Sequence, residues 1–357
     1  MEVIRSNKLK NILFEKCNNE ISFSRKVYYY LKPLIPRVLQ IYLRYRKAKR
    51  IKNEYYEESQ LIQGEILRDI LKEKSMYFIW FWPKNYRTAV VITHDVESKE
   101  GYKRVLDLVE IDERFGFKSC FGFIPERYPI DKGILKELKT RGFEIAVHGL
   151  RHDGKLFNSP KIFKKRLRKI EEYAKEWEAE GFRSPSLLRN ARWMSCFKFL
   201  WDSSFPDWDV YGPQPGGCRT VFPFFISQKT IELPVTLMQD HTLFEILKEE
   251  DIRIWKKKTK YIIRLNGLIN IVIHPDYIFQ NKRVTHYQKY LDYLRSQDGI
   301  WWTLPRDIAK WWRKRERSKV QFDSKGNPVI EGPAKDNGIV ALTEFFYQTV
   351  SFKFYGE

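Results

Sequence analysis

Phe143-Glu144-Ile145-Ala146-Val147-His148-Gly149-Leu150-Arg151-His152 is an apolar run that ends in His-x-x-x-His. A β-strand with this ending places two imidazoles near one point. Upstream, Ala89-Val90-Val91-Ile92-Thr93 runs straight into His94-Asp95-Val96-Glu97 and delivers two carboxylates, expected at the same sheet edge. Two neutral imidazoles and a carboxylate, with positions left for water, make a catalytic divalent-metal site.

Outward from these strands the pattern is regular. A strand over 88–94 precedes a helix over 100–115, a strand over 118–124 precedes a helix over 131–141, and the strand over 143–148 precedes a charged helix over 160–180. Further apolar runs lie at 219–226, 231–235, 269–274 and 300–303. Strands separated by helices favour a parallel sheet, and seven or so of them favour a closed or nearly closed barrel. In such barrels the functional groups gather where strands end, and Asp95, His148 and His274 all fall there. No internal repeat is visible.

The flanks read differently. Residues 1–85 are expected to form a basic helical N-terminal region, 86–318 an α/β barrel, and 319–357 a small β extension with turns at Ser324-Lys325-Gly326-Asn327-Pro328 and Asp336-Asn337-Gly338. Within the first region, 53–74 reads as a charged helix and Tyr77–Pro83 as an aromatic strand or lid that docks on the next domain.

Net charge is +20, which calls for an anionic partner or surface. Nine Lys or Arg and no Asp or Glu lie between Ile21 and Arg50. Two readings of that segment stand side by side: an arm packed on the main domain, or a basic amphipathic element lying on an anionic membrane. No nucleic-acid-binding motif accompanies the charge, so specific nucleic-acid binding is not expected. The four cysteines are scattered, with no C-x-x-C, which suits a reducing compartment. Met1 to Cys17 holds no apolar signal segment, and no run is long enough to span a bilayer. The expectation is a cytoplasmic protein, peripheral at most on the inner membrane face. Aromatic residues make up 16% of the chain, which suits a sugar-binding wall as well as a core; Trp193, Trp201, Trp208 and Tyr211 are the candidates for the wall.

Singly these signals are weak, but their order is specific. Asp95-Val96-Glu97, His148 to His152, Gly181-Phe182-Arg183-Ser184-Pro185, Asp202-Ser203-Ser204 and Ile271-Val272-Ile273-His274-Pro275 follow one another along the chain. That order resembles the polysaccharide deacetylase superfamily, the NodB-homology or carbohydrate esterase family 4 group. The resemblance covers roughly residues 86–315. The His148–Gly154 and Trp301–Leu304 stretches resemble a bacterial branch found with surface-polysaccharide genes. The resemblance implies a distorted (β/α)7–8 barrel of NodB type. It also implies one divalent metal ion, zinc first and cobalt, nickel or manganese as alternatives, and hydrolysis of the amide of N-acetylated sugars in a polysaccharide or glycan precursor.

It implies roles as well. The family's first motif is commonly Thr-Phe-Asp-Asp, with base then metal ligand. Here Asp95 matches the base, Val96 cannot bind metal, and Glu97 takes the place that a later carboxylate holds in members with Asp-Val-Asp. His148 and His152 complete the metal set. A guanidinium at Arg183 can form a bidentate pair with Asp95 and hold it ionised. His274 is the candidate general acid for the leaving amine, with Asp95 taking the proton of a water that the metal acidifies. His94 stands where the family has Phe and reads as a buried hydrogen-bonded imidazole or an extra ligand. Asp202 or Asp209 are candidate tethers for Arg183 or His274. Glu232 and the Gln239-Asp240-His241 turn are expected near the site. The competing reading is a glycan-binding protein on the same fold, without catalysis, whose metal site is degenerate at Val96 and Glu97.

Overall fold

The computed structural model describes residues 27, 29–31, 34–51, 76–346 and 349–355. Its strands are β1 (Met76–Ile79), β2 (Thr88–Val96), β3 (Cys120–Phe123), β4 (Glu144–Val147), β5 (Gly181–Phe182), β6 (Trp201–Asp202), β7 (Phe224–Phe225), β8 (Ile231–Glu232), β9 (Leu268–Ile273), β10 (Ile300–Trp302), β11 (Lys319–Phe322), β12 (Pro328–Glu331), β13 (Val340–Phe346) and β14 (Thr349–Tyr355).

All nine residues of β2 are buried, and their side chains divide by parity. Ala89 and Val91 pack inside with Cys120, Ala146, Trp201 and Leu268. Val90, Ile92 and Val96 pack outward with Leu108, Val109 and Leu291 of the surrounding helices. A strand covered on both faces reads as a continuous apolar run, which is why the stretch is legible as a parallel strand. The sheet has nine strands in the order β10-β2-β3-β4-β5-β6-β8-β7, with β9 also pairing to β2. Every pairing in it is parallel except β7 with β8. The curl closes without a regular ladder: Thr236 and Leu237 N–H groups both donate to the Asn270 carbonyl in β9, at 3.2 Å each. The result is a distorted barrel.

Helices Val105–Arg114, Lys132–Thr140, Pro160–Trp177, Arg253–Arg264, Arg283–Arg295 and Pro305–Glu316 connect the strands. Their starts are written locally. Asp131 and Ser159 cap the second and third by accepting from Gly133 N and Ile162 N, and Pro160 occupies the first helical turn. The helix expected over 100–115 is two, Lys99–Lys103 and Val105–Arg114, joined at Arg104. The apolar run at 219–226 supplies only the two-residue β7.

Inside the barrel, shape is set by Trp201. A Cβ on Gly181 would lie 1.9 Å from its ring, so only glycine lets the indole cross the interior. Below it, Trp80, Trp82, Trp311 and Trp312 fill the floor at the strands' N-terminal end, with the Trp82 and Trp311 indoles donating to Asn266 and Phe81 carbonyls. Most of the tryptophan content is therefore core. Beyond the barrel, β1 pairs antiparallel with β13, so Met76–Ile79 docks on the C-terminal extension. β11 and β12 form a hairpin around the Ser324–Pro328 turn, and β13 pairs with β14. Cys120, Cys196 and Cys218 are all free thiols. The helix expected over 53–74 lies outside the described residues.

Candidate functional site

Parity on β2 decides which side chains reach the site. Thr93 and Asp95 point into the barrel with Ala89 and Val91, and Glu97 follows just past the strand end. His94 points the other way. Its Nε2 lies 2.9 Å from Asp112 Oδ2, and Asp112 also accepts from the Ser119 hydroxyl and from Tyr287 OH, at 2.6 Å each. His94 is thus a fully buried link between the strand and two helices, not a lining residue of the site.

β4 ends at Val147 and delivers His148. The chain then turns sharply. Gly149 has φ +68°, and a Cβ there would stand 2.4 Å from Pro185. His152 itself adopts φ +52°, a conformation that costs a non-glycine residue and persists at sites the surroundings over-determine. The turn folds His152 back so that its ring centroid is 5.4 Å from that of His148. Glu97 Oε1 is 2.7 Å from His152 Nε2. One donor atom each from Glu97, His148 and His152 falls within 4.8 Å of the others.

The electrostatics of this cluster suit a cation. His148 Nδ1–H donates to the Arg183 carbonyl at 3.2 Å, which leaves Nε2 as the lone-pair nitrogen. Burial pushes its pKa down to about 4, so the ring is neutral at neutral pH. His148 Nε2 is buried with no hydrogen-bond partner, and the buried His152 Nε2 faces only the Glu97 carboxylate. Glu97 stays ionised: burial opposes its charge, but His152 and His274 outweigh that and hold it well below the usual carboxylate range. Tyr277 OH donates to Glu97 Oε2 at 3.1 Å, and Asp276 accepts from the Glu97 N–H and the Ser98 hydroxyl.

Asp95 sits beside this cluster. Its Oδ1 accepts from Arg183 Nη1 at 3.0 Å, and its Oδ2 lies 3.7 Å from His148 Nε2. Arg183 is fixed by further donations to Thr93 Oγ1, the Ser203 carbonyl and Ser203 Oγ, all within 2.8 Å. Burial raises the Asp95 pKa, but Arg183 together with His148 and His274 outweighs it and lowers it, so the carboxylate is ionised. Its pairing with Arg183 engages one carboxylate oxygen, not two.

On the opposite side, His274 follows β9. Its Nδ1 is 2.6 Å from Asp240 Oδ1, and its backbone N–H donates to Asp240 Oδ2 at 2.9 Å. Burial would lower its pKa, but the Asp240 carboxylate wins and lifts it to about 10. The ring is an imidazolium at neutral pH, with Nε2–H 3.8 Å from Glu97 Oε1.

The tether of His274 is therefore Asp240. Asp202 and Glu232 do not reach the site. They pair across β6 and β8 on the helix-facing side of the barrel wall, where Phe182 also points, and both are fully buried. Burial raises Asp202 to about 6, and burial with the Asp202 charge raises Glu232 well above its ordinary range, so the pair shares a proton. Asp209 and His241 do line the mouth. Of the aromatic residues, Trp201 is in the barrel interior and Trp193 packs on Phe157 and Phe163. Trp208 flanks a small cleft with Asp209 and Gln239.

One wall of the mouth comes from outside the barrel. The helix Arg37–Ile51 turns Arg37, Gln40, Ile41 and Arg44 toward Glu97, His152, His241 and His274. Arg37 Nη2 lies 3.2 Å from His241 Nε2 and donates to Tyr277 OH at 3.3 Å. The enclosed cavity has about 80 Å³, well below the roughly 300–1,000 Å³ of small-molecule sites.

No protein-family model and no curated protein matches the sequence. Solved structures do match the fold. A Mycobacterium smegmatis protein named as a candidate polysaccharide deacetylase superposes with a TM-score of 0.52 at 19% identity, over 66% of this chain and 93% of that one. Puue allantoinase gives 0.53 at 15% identity, over 65% and 92%. A probable polysaccharide deacetylase from Pseudomonas aeruginosa PAO1 gives 0.51 at 14% identity, over 65% and 93%. The chain shares the distorted barrel fold of these solved structures.

Proposed function

We propose that this chain, built on the polysaccharide deacetylase barrel, is a metal-dependent amide hydrolase that removes acetyl groups from N-acetylated sugars. The observation that carries the reading is the convergence of two buried imidazole nitrogens, that of His148 unpartnered and that of His152 at Glu97, on one ionised carboxylate. Fold likeness alone would not carry it, because one fold hosts many chemistries.

Glu97, His148 and His152 would hold the ion, and a set of two neutral imidazoles and a carboxylate suits zinc, with cobalt, nickel and manganese as alternatives. When bound, such an ion supplies Lewis-acid polarisation of the acetyl carbonyl and lowers the pKa of water. The remaining chemistry belongs to the chain. Asp95, held ionised by Arg183, accepts the proton of the attacking water as the new C–O bond forms. His274, charged through Asp240, donates its Nε2 proton to the sugar nitrogen as the C–N bond breaks. Acetate and the free amine leave. The small cavity takes the acetyl end of the sugar, with the ring toward the arm.

The test is elemental analysis of protein purified without chelator, together with acetate release from N-acetylglucosamine oligomers. One ion per chain and acetate release are expected. Metal-free protein that binds the oligomers without releasing acetate would favour a glycan-binding role instead.

A further inference from the structure

Among the described residues, eleven large apolar side chains are exposed, and eight of them lie between Val27 and Leu43. The helix Arg37–Ile51 explains the pattern. Its inner face carries Gln40, Ile41, Arg44 and the buried Ala48 against the barrel. Its outer face carries Val38, Leu39, Tyr42 and Leu43, with Val38 80% exposed, and then Arg46, Lys47, Lys49 and Arg50. The helix has six basic residues and no acidic one. Leu34, also 80% exposed, extends the apolar strip toward the N-terminus. Water disfavours a contiguous apolar strip of this kind, and proteins that keep one use it. A strip of aliphatic and tyrosine side chains bordered only by cations is complementary to one surface in particular. Apolar groups enter the boundary between headgroups and acyl chains while Lys and Arg meet anionic lipid.

We propose that the Arg37–Ile51 helix is a membrane-docking roof: its outer face binds an anionic bilayer surface while its inner face walls the catalytic pocket. Arg37 makes the connection direct, because the residue that begins this helix also contacts His241 and Tyr277 in the mouth. No helix among the described residues is long and apolar enough to cross a membrane, so attachment is at the surface. Resting on the deacetylase reading above, the substrate class that fits is an acetylated sugar presented at such a surface.

The test uses the full chain with phosphatidylcholine vesicles, with and without phosphatidylglycerol. Co-sedimentation is expected only with the anionic vesicles, and it should weaken as salt shortens the screening length from about 10 Å at 0.1 M to about 3 Å at 1 M. The variant Val38→Ser/Leu39→Ser/Arg46→Glu/Lys47→Glu alters exposed positions that do not line the catalytic pocket. It should bind at least about tenfold more weakly, since each cation near the surface is worth roughly fivefold. Its melting temperature and its acetate release from soluble oligomers should match the parent chain. Equal binding to neutral vesicles, undiminished binding by the variant, or no vesicle binding together with self-association in solution would overturn the proposal. The sedimentation result stands whether or not the chain proves to be a deacetylase, so the two readings fail separately.

Discussion

Burying a polar nitrogen without a partner costs about 1–3 kcal/mol, and His148 does so within 4.8 Å of His152 and Glu97 ligand atoms. An ion bound there would satisfy that lone pair. His148→Ala or His152→Ala should therefore abolish stoichiometric zinc binding in titration calorimetry, losing more than the roughly 10–100-fold typical of an outer partner. If both variants keep one tight site, the ligand set is wrong. Asp95→Asn should keep the ion and lose activity, whereas Glu97→Gln should lose the ion first; the reverse pattern exchanges their roles. His274 allows a sharper separation. An acid matters for a poor leaving group such as a sugar amine and much less for an activated ester. His274→Ala should slow N-deacetylation by roughly 10²–10⁴-fold and spare an aryl acetate. Equal losses on both substrates would make it structural. At this scale the sequence showed the strand-end residues because strand parity and His-x-x-x-His are local. Parity also sends His94 outward once Asp95 points inward. The Gln239–His241 turn was expected near the site but without a role: Asp240 meets His274 across 34 positions, a tertiary pairing that no local pattern shows.

At the scale of elements, β4 holds a group that the chemistry leaves unused. Glu144 begins the strand inside the barrel, accepting from the Trp201 indole at 2.7 Å and the Arg306 N–H at 3.0 Å. Burial outweighs both donors and lifts its pKa to about 7. An acid raised in the folded state binds its proton more tightly there than when unfolded. The stability it contributes is complete below its unfolded value near 4.3 and is lost as pH rises to about 7. The full cost above pH 7 is roughly 4 kcal/mol, at 1.36 kcal/mol per unit. Glu144→Gln removes the titration and leaves the packing. In urea unfolding, the stability of the parent chain relative to this variant should fall by roughly 2–3 kcal/mol between pH 5 and pH 8. A difference that ignores pH would show that Glu144 titrates normally. The long elements β2, β9 and Pro160–Trp177 were readable because apolar periodicity had room to repeat. β5, β6 and β8 have two residues each, and tertiary pairing rather than local pattern makes them strands. The basic arm was equally visible as a segment, but nothing in it announced that one face would line the pocket.

For the whole molecule, metal and fold should be thermodynamically linked. The three proposed ligands come from two loops, one after β2 and one after β4, and the unfolded chain does not hold them together. An ion that binds only the folded state stabilises it by RT ln(1 + [L]/Kd), about 2.7 kcal/mol at a hundredfold excess over Kd. For a domain of this size each kcal/mol moves the melting temperature by about 2–4 °C, so zinc should raise it by about 5 °C or more. The net charge of +20 works the other way, since self-repulsion favours expansion and is relieved by salt. Salt and zinc must therefore be varied separately. In His148→Ala/His152→Ala the salt response should persist and the zinc response should vanish. Calorimetry of both proteins with zinc, with chelator and across ionic strength makes the comparison. A zinc shift of equal size in the double variant would place the ion elsewhere on the molecule and remove the ground for assigning hydrolysis to this end of the barrel.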